Sequence, residues 1–186
     1  DTGGSWSIVG TPSRFSVAGG TGRVTLATST EQHANLPSVS TTRARMSASF
    51  TVDKVAEAHY IWLVGRQVGT QQYMLRVRID SDSSVVLHVM RGGTAVGAGV
   101  TVPGLSVVAG QSYQVMFDVR GTSPTSLSGK IWRTGATEPA AWQVTRTDST
   151  AALQAAGSVG LRSWVSSSAN AFPLTVTFDD VVVTEP

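Results

Sequence analysis

The stretch HYIWLVGRQVGTQQYMLRVRID, residues 59–80, decides the fold, because it predicts two β-strands joined by a short turn. Apolar and polar side chains alternate over 71–80, which is the period of a strand with one buried face. The residues predicted to point inward are Tyr73, Leu75, Val77 and Ile79. Those predicted to point outward are Gln72, Met74, Arg76 and Arg78. Gly69 and Thr70 have the composition of a tight hairpin turn, so we expect the two strands to pair antiparallel.

The same alternation continues along most of the chain. Further strands are predicted at 85–91, 112–121, 125–134, 157–166 and 172–184, with earlier ones at 5–9, 14–18, 22–28 and 43–53. The Ala-rich segment 148–157 predicts one or two helical turns within a connection. About ten to twelve strands separated by turn signals favour an all-β fold: a two-sheet antiparallel β-sandwich of the jelly-roll type.

The composition limits the function classes. Charged residues make up 14% of the 186 residues, and cysteine is absent, which excludes disulfides, zinc-thiolate sites and a cysteine nucleophile. Twelve arginines and two lysines occur without any consecutive run, so no nucleic-acid-binding tract is indicated. No apolar stretch is long enough to span a bilayer as a helix. We expect a single domain over 1–186, excised from a larger protein and located outside the cell or on its surface.

Several segments together carry a resemblance to a known family. They are DTGGSW (1–6), YIWLVGRQVGTQQYMLRVRI (60–79), TSPTSLSGKIW (122–132) and VTFDDVVV (176–183). The chain resembles the concanavalin A-like and laminin-G-like jelly-roll domains of large secreted actinobacterial proteins and of tail proteins from phages that infect those bacteria. The resemblance implies a concanavalin A-like fold and adhesion to carbohydrate or to a surface, with neighbouring domains of the parent protein as further partners. It implies no transferable set of catalytic residues.

Aromatic and basic side chains share the outward face that the alternation predicts. Aromatic rings stack on the apolar faces of sugars, and arginine donates paired hydrogen bonds to hydroxyl or carboxylate oxygens. We therefore predict a carbohydrate-binding face, suited also to acidic polysaccharide, formed by Trp62, Arg66, Arg76, Arg78, His88, Arg162 and Trp164. The alternative is that this face packs on a neighbouring domain or loop, because exposed tryptophan is costly.

Catalytic constellations are less well supported. Glycoside hydrolysis by two carboxylates needs acids about 5 to 9.5 Å apart, whereas most acids here fall at predicted turns and Asp118 alone lies in the middle of a predicted strand, facing outward. No Gly-x-Ser-x-Gly elbow is present, and the three histidines lack metal-ligand spacing. A polysaccharide lyase needs a tyrosine or histidine base beside an arginine. The residue types for that reaction are available as Tyr60, Arg76, Arg78 and His88.

Structural calcium is the only cofactor that the acidic residues suggest. Asp179 and Asp180 are adjacent in the last predicted strand, and in a regular strand they point to opposite faces, so at most one of them is expected to bind the ion. Asp1 is the expected partner if the two ends of the chain lie together. The segment DSDSS, residues 80–84, is a second acidic cluster, although such turns form without metal.

The sequence as a whole favours a non-catalytic, extracellular, lectin-like binding module for carbohydrate. A structural or assembly domain of a surface appendage or phage tail is the first alternative. A polysaccharide lyase or glycoside hydrolase is the second. The outward parity of the aromatic and arginine residues is the observation that favours binding.

Overall fold

The computed structural model describes residues 4–27, 29–55, 58–169 and 172–186, and it consists almost entirely of β-strands. The strands are β1 (Ser7–Val9), β2 (Phe15–Ala18), β3 (Thr21–Leu26), β4 (Gln32–Thr41), β5 (Arg43–Val52), β6 (His59–Val68), β7 (Gln71–Ile79), β8 (Ser84–Arg91), β9 (Thr94–Ala95), β10 (Val100–Ser106), β11 (Ser112–Arg120), β12 (Thr125–Arg133), β13 (Val144–Asp148), β14 (Gly157–Val165) and β15 (Leu174–Thr184). Two short 3-10 helices occupy Pro12–Arg14 and Ala151–Leu153. Within the described residues, no helix is long and apolar enough to cross a membrane.

The strands form two antiparallel sheets. The first sheet has the order β1-β4-β14-β6-β7-β8-β10, with β9 added beside β8, and the second has the order β13-β12-β11-β5-β15-β3-β2. Several neighbours, such as β4 and β14 or β5 and β15, come from distant parts of the sequence, as in a jelly roll. The predicted all-β, two-sheet antiparallel sandwich is therefore confirmed. The predicted meander is confirmed as well, since β6, β7 and β8 lie side by side.

The core lies between the sheets and is built from the inward residues of each strand. The inward set predicted for β7, namely Tyr73, Leu75, Val77 and Ile79, is fully buried. The second sheet contributes Tyr113 and Phe117, and the ring of Tyr113 stacks on Phe50 with their centroids 5.8 Å apart. Apolar burial of this kind supplies most of the free energy that favours folding.

A β-bulge in β6 corrects the predicted outward orientation of Arg66. Val64 pairs with Met74, but Arg66 pairs with Tyr73, so Gly65 is an extra residue opposite no partner. One inserted residue reverses the alternation of the strand beyond it. Arg66 consequently points into the interior, where it is fully buried.

Two further differences from the sequence-based prediction have local causes. The strand β4 was missed because Pro37 and several polar residues interrupt its alternation. Its pairing with β14 is irregular at that point, since Leu36 is the partner of Val159 whereas Thr41 is the partner of Gly157. The helical turns predicted in 148–157 reduce to the single 3-10 turn Ala151–Leu153.

Candidate ligand-binding groove

A row of polar and aromatic side chains crosses the outer face of the first sheet. Going from β4 to β8, each residue is the direct cross-strand partner of the next: His33, Arg162, Trp62, Arg76 and His88. On β14, β6, β7 and β8 these positions alternate with buried residues, so the same pleat that buries Leu63 and Leu75 places the row outside. The row thus results directly from the register of the sheet.

Trp62 belongs to an aromatic cluster on this outer face, with Tyr60 at its centre. Its ring stacks on Tyr60 with a centroid separation of 5.6 Å, and Tyr60 in turn stacks on Trp164 at 5.0 Å. The indole nitrogen of Trp164 donates a hydrogen bond to the carbonyl of Ser29. Beside the rings, Val64, Met74 and Met90 are buried although they point away from the sandwich core. The outer face therefore has its own apolar floor.

The floor lies at the bottom of a groove of about 480 Å³. Four of the seven predicted ligand-binding residues line the groove, namely Trp62, Arg76, Arg162 and Trp164. The remaining walls are formed by Glu31, Thr70, Gln72, Met74, Met90, Gly92 and Gly93. The glycines come from the β8–β9 turn, which has no side chain to fill the space above the floor.

Arg76 is the cation of the groove that has no acidic partner among the described residues. Its guanidinium carbon lies 5.2 Å from the centroid of the Tyr60 ring, a cation–π contact. Its buried Nε has no hydrogen-bond partner in the described part of the chain. Burial lowers the pKa of Arg76 and the nearby Arg78 charge lowers it further, while Tyr60 opposes the shift. Because an arginine stays protonated at physiological pH, Arg76 carries an uncompensated positive charge.

Arg162 lies on the other side of Trp62, and both of its terminal nitrogens are engaged, although its buried Nε has no hydrogen-bond partner among the described residues. Its guanidinium lies over the indole ring at 5.4 Å from the centroid. One terminal nitrogen donates to Gln72 and, at 3.0 Å, to the sulfur of Met74, while the other forms an ion pair with Glu31. Burial raises the pKa of Glu31, but the hydrogen bond from His33 and the charge of Arg162 outweigh it, so the net pKa is lowered. Glu31 is therefore ionised at neutral pH.

Arg78 and His88 share this outer face but lie outside the groove. The Nε of Arg78 is paired with a carboxylate oxygen of Asp80 at 2.6 Å. His88 is covered by the backbone at Gly99, where an added Cβ would lie 2.3 Å from the imidazole Nε2. Burial, together with the positive charges of Arg76 and Arg78, lowers the pKa of His88 to about 4.

Arg66, the seventh predicted residue, supports the fold from the inside. Its two terminal nitrogens donate four hydrogen bonds, to the carbonyls of Thr42, Gly121 and Leu153 and to the hydroxyl of Thr125. These acceptors belong to connections at one end of the sandwich. From this position Arg66 does not reach a ligand in the groove.

No arrangement of ligands among the described residues supports the predicted calcium site. Asp179 and Asp180 are both exposed, and the backbone at Asp180 has a φ of 50° within an irregular stretch of β15. The assumption that Asp179 and Asp180 lie in a regular strand, and so point to opposite faces, is therefore wrong. Asp1 lies outside the described residues. Among those that are described, no cluster of three or more histidine or acidic residues is placed to hold a metal ion.

The outer face of the second sheet carries a network of paired charges around Asp118 and Lys130. Asp118 accepts from Arg45 at 2.8 Å and from Arg120 at 2.5 Å. Lys130 is buried, lies 2.6 Å from a carboxylate oxygen of Glu138 and contacts the Trp142 ring at 4.8 Å. Each charged group in this network has a partner of opposite charge. In the groove on the first sheet, by contrast, Arg76 has no acidic partner among the described residues.

Sequence reasoning missed the residues that border the groove. Gln72 and Met74 were correctly predicted to point outward, but neither residue type by itself indicates a binding site. Glu31 precedes the missed strand β4, and nothing in the sequence indicates that it pairs with Arg162, 131 positions away. Only the tertiary fold brings these two residues together.

Comparison with known proteins shows the fold. No protein-family profile matches the chain, and no curated protein matches its sequence significantly. Solved structures match along nearly its whole length. A carbohydrate-binding module, CBM66 from Bacillus subtilis, is 15% identical with a TM-score of 0.64, and the match covers 96% of this chain and 94% of that one.

Two enzymes have the same architecture. A Bacillus licheniformis β-glucanase is 14% identical with a TM-score of 0.65, covering 100% of this chain and 94% of the enzyme. An alginate lyase is 12% identical with a TM-score of 0.57, and the match covers 92% of this chain and 83% of the lyase. The concanavalin A-like jelly roll is therefore shared with binding modules, hydrolases and lyases alike.

Proposed function

We propose that this chain is a non-catalytic carbohydrate-binding module that binds polysaccharide in the groove on the outer face of the first sheet. The observation that supports this most is that the aromatic cluster and apolar floor of the groove lie beside Arg76, which has no acidic partner among the described residues. Stacking needs an apolar surface on which a sugar ring can lie, and polar anchoring needs a donor that the protein itself has not used. The groove offers both within two neighbouring strands.

In the proposed mode of binding, a sugar ring lies against the partly exposed Trp164, while Trp62, which is buried and packed against Tyr60 and Arg162, forms part of the base beneath it. Arg76 donates hydrogen bonds to the ligand, and a carboxylate is its best acceptor because the guanidinium fork matches a carboxylate in shape and charge. This favours an acidic polysaccharide. Arg78 and His88 support the groove from beside it. Such a ligand places the protein outside the cell or at its surface.

The acidic residues favour binding over hydrolysis. Among the described residues, Glu31 is the carboxylate that lines the groove, and it is held by Arg162 and His33. Hydrolysis by two carboxylates requires a second acid facing the first across the sugar. The names of the three structural neighbours, a binding module, a glucanase and an alginate lyase, are consistent with a carbohydrate ligand and do not choose between binding and catalysis.

A panel of immobilised neutral and acidic polysaccharides tests this proposal. We expect the parent chain to bind at least one polymer, and we expect Trp164→Ala and Arg76→Gln to weaken that binding about tenfold or more. Trp132→Ala is the matched control, because Trp132 lies on the outer face of the second sheet and its loss should leave binding unchanged. Circular dichroism confirms that each variant is folded. Binding to no polymer, or equal binding by all variants, would refute the proposal and favour a structural or assembly role.

A further inference from the structure

Resting on the proposed function, we infer that Glu31 sets the charge specificity of the groove. By neutralising Arg162 it leaves Arg76 as the anchor for one anionic group, so the groove selects a glycan in which an acidic sugar is next to a neutral one. A glycan with an acidic group on every sugar is the less favoured ligand.

The first step of this inference is the pairing of charges across the outer face of the first sheet. Arg162 is balanced by Glu31, and Arg78 is balanced by Asp80. His88 is neutral near pH 7 because its pKa is about 4. Within the described residues this leaves Arg76 as the uncompensated positive charge at the groove.

The second step is the position of the two arginines. Both are direct cross-strand partners of Trp62, Arg162 from β14 and Arg76 from β7. Neighbouring strands are about 4.8 Å apart, so the two backbones lie roughly 10 Å apart with the indole between them. A sugar on the Arg162 side of Trp62 meets a cation already satisfied by Glu31. A sugar on the Arg76 side meets a cation that still lacks an acceptor.

The third step is that Glu31 occupies the position of an incoming carboxylate at Arg162. The terminal nitrogens of Arg162 are used by Glu31, Gln72 and Met74. A second acidic sugar would therefore have to displace Glu31 or lie beside it, and two carboxylates at one guanidinium repel each other. A neutral sugar, which needs only the stacking surface, meets no such penalty.

Affinity electrophoresis with three polymers tests the inference. The probes are hyaluronan, in which an acidic and a neutral sugar alternate, polygalacturonate, in which every sugar is acidic, and a neutral mixed-linkage β-glucan. We expect the parent chain to bind hyaluronan more tightly than polygalacturonate. Glu31→Gln should raise affinity for polygalacturonate about tenfold relative to hyaluronan, because Arg162 then becomes a second anion anchor, and should leave binding of the β-glucan unchanged.

The matched control is Glu138→Gln, which removes an acid of the same size from the opposite face and should leave all three affinities unchanged. Arg76→Gln should abolish the preference for acidic over neutral polymer. If the parent binds a polymer but Glu31→Gln does not change the ratio, or if the parent already prefers polygalacturonate, this inference is overturned and the proposed function stands. If the parent binds none of the probes or the wider panel, the proposed function fails and the inference fails with it.

Discussion

At the scale of single residues, the most informative side chain is Arg66, a cation buried without a carboxylate. Four hydrogen bonds from its guanidinium satisfy three carbonyls and a hydroxyl at one end of the sandwich. Its burial lowers its pKa, although the tyrosine at position 73 opposes this shift. The charge is spread over a planar group and met by carbonyl dipoles, which allows it to remain in the interior.

We predict that Arg66→Met lowers the free energy of unfolding by about 3 kcal/mol or more, because it removes four hydrogen bonds that one charged group donates in the interior. Urea unfolding followed by tryptophan fluorescence measures this. Arg78→Met is the control, since its ion pair with Asp80 is solvent-exposed and such pairs contribute about 0–1 kcal/mol. Equal destabilisation by both variants would contradict the structural role of Arg66.

His59 makes the stability of the chain depend on pH. It is fully buried, and burial lowers its pKa from 6.5 to about 3. As the pH falls, the unfolded chain takes up the proton before the folded chain does. The free energy of unfolding should therefore be at its full value above about pH 6.5 and should decrease continuously towards pH 3.

Thermal unfolding between pH 4.5 and 7.5 measures this dependence. Between pH 5.5 and 7.5 Glu31 and Asp148 are ionised in the folded chain, where their pKa values are lowered, and also in the unfolded chain, so they do not produce the slope in that part of the range. His59→Leu should show a smaller decrease in Tm than the parent as the pH falls. His88 contributes with the same sign, so some dependence should remain. A pH profile identical to that of the parent would show that His59 is protonated in the folded state.

At the scale of the elements, the bulge in β6 decides which residues face the groove. Without the bulge, a regularly paired Gly65 would let alternation carry Arg66 to the outer face, as the sequence pattern predicted. The residue at the bulge also has to be small, because a Cβ there would lie 2.4 Å from a methyl group of Val119 and 2.7 Å from the Phe117 ring. The bulge and the packing of the second sheet therefore constrain each other.

We predict that Gly65→Ala destabilises the fold by about 1–3 kcal/mol through overpacking of the core. Gly22→Ala is the matched control, because Gly22 also lies in a strand and its nearest atom to an added Cβ is a carbonyl oxygen 3.9 Å away. Chemical denaturation of both variants gives the comparison. If Gly65→Ala were as stable as Gly22→Ala, the side chains of β11 would have to move aside for the added methyl group without lowering the free energy of unfolding, which would contradict this prediction.

The elements show where prediction from sequence succeeds. Strict alternation over 71–79 and 112–120 predicted the inward and outward faces of β7 and β11 correctly, since burial on one side of a pleated strand leaves a period of two in the sequence. A bulge or a proline breaks that period without leaving a signal of its own. Arg66 in β6 was therefore assigned to the wrong face, and β4 was not predicted.

At the scale of the whole molecule, the two outer faces differ in how their charges are used. The second sheet pairs Lys130 with Glu138 and surrounds Asp118 with two arginines. In the described part of the chain, Arg76 of the first sheet has no acidic partner and lies over the Tyr60 ring, beside the apolar floor. The alternation in the sequence correctly predicted that one face carries Trp62, Arg76, Arg162 and Trp164. It did not distinguish which arginine would be neutralised, because that depends on Glu31, which is remote in sequence.

We predict that prolonged incubation with a bound polysaccharide leaves its chain length unchanged. Glu31 has no second acid across the groove in the described part of the chain, and His88 lies beneath Gly99, away from the lining. Reducing-end assays and ultraviolet absorbance of unsaturated uronates test hydrolysis and elimination respectively. The measurement that would contradict this is release of either product by the parent but not by Glu31→Gln or His88→Gln.

The apolar floor beneath the groove has a consequence for the thermodynamics of recognition. Trp62, Met74 and Arg162 are already held by stacking, burial and hydrogen bonds before any ligand arrives. Immobilising a flexible side chain on association costs about 0.5–1.5 kcal/mol. Here that loss of rotational freedom occurs during folding, so the groove is preorganised. A calorimetric titration should accordingly show a smaller entropic penalty than a flexible loop site of equal size would show.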